Sequence, residues 1–200
     1  MKKQIKEWIP LITTLLFSLS ALIFYSIFVT DKNYIIYWQV AAASLVPAIL
    51  PVFSKITKKP YPIFINWVIV FHIFLSSSLG SALMFYHRFP LWDLIMHALF
   101  GFNCAVVIYG ITYSKPNLIL IFLSVMGCAA LWEVFEYTCD ILFDGDAQRV
   151  KIAMARGVNP IKDTMTDIAV TMSGIILFYI LLIIDRRFNN RISKILRKCS

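Results

Sequence analysis

Charge is scarce in this chain. Only 15% of its 200 residues are Asp, Glu, Lys or Arg, against roughly 25% in a soluble domain. With 60% hydrophobic residues and a mean hydropathy of +0.76, that shortage excludes a water-soluble globular fold and points to an integral membrane protein. Cysteine is sparse as well. Cys104 and Cys128 fall inside apolar runs, Cys199 in the basic tail and Cys139 alone near the opposite surface, so no external pair is available for a disulfide. No internal repeat, low-complexity tract or soluble second domain breaks the sequence. There is no folded basic module beyond the tail to bind nucleic acid. The first apolar run follows Lys2, Lys3 and Lys6 as a secretory signal would. It is too long for one and no A-x-A-like cleavage site follows, so it is expected to remain as a helix.

What the chain has is long apolar runs. Six are long enough to cross about 30 Å of hydrocarbon at about 20 residues each: residues 8–29, 34–53, 63–86, 91–112, 118–143 and 164–184. The fold predicted is all-α: a polytopic membrane protein with six transmembrane helices in one domain, 1–184, followed by a basic tail, 185–200. Short connections carry Asp31 and Asn33, Lys59-Pro60, Phe89-Pro90 and Lys115-Pro116-Asn117. Pro47 and Pro51 should kink the second span, provided neighbours satisfy the freed carbonyls. Thirteen Lys and Arg fall on the side of the two chain ends and six on the other, which predicts both termini in the cytoplasm. The excess accounts for most of the net charge of +8. The tail, with Ile192, Ile195 and Leu196 among its charges, is expected to lie on anionic lipid. Tyr34, Tyr37, Trp38, Tyr86 and Trp92 fit an outer aromatic belt, and His72 with Ser76, Ser77 and Ser78 fit packing within the third span.

Ionisable residues inside such runs are costly and usually functional. Glu133 and Glu136 lie within the fifth span with Asp140 one turn further on. Asp93 and His97 stand four apart in the fourth, and Asp163 and Asp167 four apart at the start of the sixth. The predicted orientation puts all seven in the outer half of the membrane. At about 100° per residue each set shares a helix face. Continued inward, the stripes reach Gly101, Cys104, Ala129, Thr171 and Gly174, small residues that let helices approach closely. The expectation is an outer pocket between three helices.

Six carboxylates and one imidazole need positive charge nearby. Three sources compete: a divalent metal ion, protons alone as in a coupled transporter, or ion pairs with the outer basic residues. The leading reading is a metal-dependent enzyme acting on a lipid or lipid-linked envelope substrate. It takes Asp93, His97, Glu133, Asp163 and Asp167 as candidate metal ligands, Glu136 or Asp140 as general base, and Arg149 or Arg156 on an anionic headgroup. A proton- or cation-coupled transporter or immunity-type membrane protein is the alternative, and Asp163 also reads as a helix cap.

Between the fifth and sixth spans the loop reads DGDAQRVKIAMARGVNPIK. Asp144-Gly145-Asp146 suits a turn, and 150–155 an interfacial lid. Asp144-Gly145 through Arg149, then Asp163-x-x-x-Asp167, loosely resembles the signature of CDP-alcohol phosphotransferases, with Gln148 in place of an alanine and the wrong glycine spacing. A fuller resemblance lies in the order WDLIMHALFGF, WEVFEY and DTMTDIAVTMSG. Over roughly 91–174 the chain resembles the YjdF-like bacterial inner-membrane proteins, and more distantly the VanZ-like proteins associated with glycopeptide resistance. Asp93, His97, Gly101, Glu133, Asp163, Asp167 and Gly174 are the matching positions. The resemblance implies a multi-pass protein of the bacterial cytoplasmic membrane, with no settled reaction.

Overall fold

The computed structural model describes residues 2–30, 32–112 and 117–196, with helices as the regular structure among them. Asp31, the Lys115-Pro116 turn, Lys198 and Cys199 lie outside the described residues. Among the described residues six helical stretches are long and apolar enough to span a membrane: Ile5–Phe28, Tyr34–Thr57, Ile63–Ala82, Trp92–Ile111, Leu118–Phe143 and Ile161–Arg187. They comprise helices α1 (Lys2–Phe28), α2 (Tyr34–Leu45), α3 (Ile49–Thr57), α4 (Ile63–Ile73), α6 (Trp92–Ile111), α7 (Leu118–Phe143) and α9 (Ile161–Arg187). Short helices α5 (Phe85–Arg88), α8 (Val150–Ala155) and α10 (Arg191–Leu196) lie between or after them.

Local chemistry sets the helix ends. Asn33 and Asn117 cap α2 and α7, their side-chain oxygens accepting from Ile35 N, and from Ile119 N and Leu120 N. The Pro47 bend is a 3₁₀ turn, Val46–Ala48, between α2 and α3. Pro51 lacks the N–H that would bond the Pro47 carbonyl. The fully buried Asn66 donates to that oxygen from α4 at 2.9 Å, supplying the partner that such a kink requires.

Several boundaries differ from the sequence reading, and two of them bear on the site. The third span leaves α-geometry at Phe74, continues as a π-helical segment, Phe74–Ala82, and ends there, because Met84 takes a left-handed φ of 63°. Tyr86 is therefore on α5 and outside the span. The last span begins at Ile161 after Pro160, so Asp163 sits inside the first turn and does not cap it.

The core is built from α6, α7 and α9, where Ala105, Val125, Ile175 and Phe178 are fully buried. Leu196 of α10 joins this core with Ile192 packed beside it, and its backbone oxygen lies against Gly110 at the end of α6. Two of the three tail residues expected to face lipid thus pack on the bundle. The reason is Asp185, whose carboxylate accepts from Ile192 N, Ser193 N and Ser193 Oγ and folds the tail back. At the opposite end lie Asp93, Asp140 and Asp163, under the connection that carries α8.

Candidate functional site

α6 and α9 make the most extensive helix pair in the bundle, and two glycines permit it. A Cβ on Gly101 would overlap the Thr171 carbonyl, and a Cβ on Gly174 would overlap the Ala98 carbonyl. This backbone contact fixes the two helices one to two turns below the site. It brings Asp93 and His97 of α6 face to face with Asp167 of α9. His97 Nε2 lies 3.7 Å from Asp93 Oδ1 and 3.7 Å from Asp167 Oδ2. One ligand atom from each falls within 4.8 Å of the others. At 3.7 Å these are not hydrogen bonds. They are near the spacing of donors around a shared ion, about 3 to 4 Å for metal–ligand bonds of about 2.1 Å. One nitrogen and two hard oxygens suit Zn, Mn or Fe. Asp167 is 3% exposed. One turn below it, the fully buried Thr171 hydroxyl has no hydrogen-bond partner among the described residues.

Charge reaches this triad from the loop. Arg149 adopts a left-handed φ of 53° ahead of α8. Its Nη2 stands 3.4 Å from Asp93 Oδ2, and its Nη1 stands 3.8 Å from Asp163 Oδ1. Asp93 therefore serves two neighbours, one oxygen toward His97 and the other toward Arg149. Arg149, Arg156, Lys162, Asp93 and Asp163 line a half-open cavity of about 250 Å³ above the triad.

The other acids gather at the same end of the bundle without joining one ligand shell. Glu133 is buried, and Gln148 Nε2 donates to its Oε2 at 3.2 Å and to its backbone oxygen at 3.0 Å. Glu136 accepts from Trp132 Nε1 at 2.8 Å and is within charge-coupling range of Glu133, Asp93 and Asp167. Asp140 turns away from the triad. Its two oxygens accept from the backbone N–H groups of Ala147 and Gln148, at 2.7 and 3.0 Å. It clamps the start of the loop, a task the sequence reading did not give it. Asp163 pairs with Arg149 and lies outside the group of atoms that could share an ion.

The loop is itself folded. Asp146 accepts from Lys151 N and Ile152 N, and Lys151 Nζ meets Asp144 at 2.6 Å. That contact holds the Asp144 carboxyl below its ordinary range and raises the Lys151 ammonium. α8 exposes Ile152 and Met154.

Two residues of this region were missed. Gln148 carries no signal beyond polarity, since its partner Glu133 is fifteen residues away. Tyr86 was assigned to the belt, yet its ring packs against Gly80 and its hydroxyl lies within range of the Asp93, Glu136 and Asp167 charges. Burial above all, then those carboxylates, push its pKa far above the ordinary value. The phenol thus stays protonated within electrostatic reach of Asp93 and Asp167.

A six-span bundle that brings a histidine and two aspartates together at one end defines a polytopic membrane protein with a cluster that could hold a metal ion. The chain belongs to the DUF2238 family, described as a predicted membrane protein, whose profile matches residues 11–188. A relative from Thermotoga maritima, described as an uncharacterized protein, is 30% identical over 132 residues. The match covers 62% of this chain and 64% of the relative, so the chain spans just under two thirds of that protein's length. No solved structure matches significantly.

Proposed function

We propose that this protein is a metal-dependent enzyme of the bacterial cytoplasmic membrane. In this reading Asp93, His97 and Asp167 hold a divalent cation, and the substrate is a lipid or lipid-linked envelope component reached from the extracytoplasmic leaflet. The observation that carries it is the meeting of one imidazole and two carboxylates within 4.8 Å in an apolar bundle, where acids without a counterion are expensive. The excess of Lys and Arg on the side of the chain ends supports cytoplasmic termini and hence an outward-facing site. The segment order quoted above supports YjdF-like proteins as the nearer kin within the family, with VanZ-like proteins more distant.

When bound, the cation would polarise a phosphoryl or acyl oxygen and acidify a water. The remaining work falls to the chain. Glu136, oriented by Trp132, takes a proton as general base. Gln148 ties the loop to Glu133. Tyr86 offers a hydroxyl donor that stays protonated.

Elemental analysis of purified wild type, His97→Ala and Asp167→Asn tests the reading. The expected result is about one metal per wild-type chain and loss in both variants while size-exclusion profiles are unchanged. Metal-free, well-folded wild type overturns it. Arg149, already paired with Asp93 and Asp163, favours a second reading, a structural ion-pair network. It wins if each variant loses only thermal stability. Ion flux in proteoliposomes abolished by Glu136→Gln would instead assign transport.

A further inference from the structure

We infer that the cavity above the triad receives the phosphate ester of a membrane lipid, and that a divalent cation on the triad strengthens this binding because Asp93 is shared between the two sites. The inference rests on the metal reading above and deepens it by naming the substrate class.

The cavity has two kinds of lining residue. Arg149, Arg156 and Lys162 line it together with the apolar Leu94, Ile152 and Val158. Its carboxylates, Asp93 and Asp163, are both engaged by Arg149. Among the described residues Arg156 and Lys162 make no ion pair with an acid, so they bring uncompensated positive charge to a space of about 250 Å³. Guanidinium groups match phosphate oxygens in shape and charge. The apolar lining continues onto α8, whose Ile152 is 45% and Met154 69% exposed. A phosphate on a hydrocarbon chain satisfies both kinds of lining residue, and free phosphate only one.

Asp93 links this cavity to the triad. Its Oδ1 faces His97 and its Oδ2 faces Arg149. A cation held through Oδ1 neutralises the charge that restrains Arg149, which then turns its Nη atoms to the phosphate. Linkage makes the effect reciprocal: the phosphate must tighten cation binding by the same factor.

The test uses the full chain in phosphatidylcholine nanodiscs, with Mn²⁺ as the cation and dihexanoyl phosphatidic acid or inorganic phosphate as the anion. Empty nanodiscs correct for Mn²⁺ held by lipid. Calorimetry should show phosphatidic acid binding about tenfold tighter with Mn²⁺ present, and Mn²⁺ binding tightened equally by phosphatidic acid. The Arg156→Gln/Lys162→Gln variant should lose about tenfold in phosphatidic acid affinity and keep its Mn²⁺ affinity. Equal affinity with and without Mn²⁺ overturns the coupling. Unchanged phosphatidic acid affinity in the double variant overturns the cavity assignment. Inorganic phosphate binding as tightly as the lipid overturns the lipid source. Wild type that binds no Mn²⁺ overturns the metal reading itself, and the Mn²⁺ arm alone reports that failure.

Discussion

Asn66 donates its side-chain N–H to the carbonyl of Pro47 across 2.9 Å, at the one place where Pro51 leaves the second span without a backbone donor. A buried carbonyl without a partner costs about 1–3 kcal/mol. Asn66→Leu should therefore lower thermal stability in detergent by that amount. Pro51→Ala restores the missing N–H, so Asn66→Leu/Pro51→Ala should recover most of the loss. A double variant no better than Asn66→Leu would show that the hydrogen bond does not mend the kink.

The glycine crossing makes a second prediction. Gly174→Val forces a side chain into the Ala98 carbonyl and the Phe102 backbone. Such overpacking costs about 1–3 kcal/mol and should separate α6 from α9, so metal content and melting temperature fall together. Gly127→Ala on α7 is the control. Nothing lies within 4 Å of its added Cβ, and alanine favours a helix over glycine by about 1 kcal/mol. Its metal content should match wild type.

Tyr86→Phe should keep the fold, since the ring against Gly80 is retained. The folded phenol titrates above the ordinary value of about 10. The unfolded chain therefore ionises first as pH rises, and stability present below pH 10 is lost above it. Thermal melts compared across that range should show wild type falling faster than Tyr86→Phe. Near-ultraviolet titration should find the same number of phenolates in both proteins around pH 10. One more phenolate in wild type would place Tyr86 in water.

Asp140→Ala should release the loop without touching the triad. Losing two bonds to a charged acceptor corresponds to hydrogen exchange faster by about one to two orders of magnitude at Ala147 and Gln148. Metal content should hold. Unchanged exchange at those amides would free Asp140 for the proton transfer first assigned to it.

Much of the architecture was legible because hydrocarbon demands long apolar runs, and all six appear where hydropathy put them. The convergence of Asp93, His97 and Asp167 followed from helical spacing, and Gly101 and Gly174 from the same faces. What escaped depends on contacts between distant segments or on local backbone conformation. Asp140 looks like another pocket acid until the loop folds back on it. Tyr86 looks interfacial because the left-handed turn at Met84 leaves no signature in hydropathy. Ile192 and Leu196 read as lipid-facing until Asp185 turns the tail under the bundle.

The π-helical segment Phe74–Ala82 holds one residue more per turn than an α-helix could accommodate. Deleting a single residue there would let the stretch relax toward α-geometry and shift Gly80 relative to the short helix α5 that follows it. Gly80 would leave the ring of Tyr86, and the phenol would swing from the carboxylates. The extra residue in this stretch is thus what sets the hydroxyl of Tyr86 within electrostatic reach of Asp93 and Asp167.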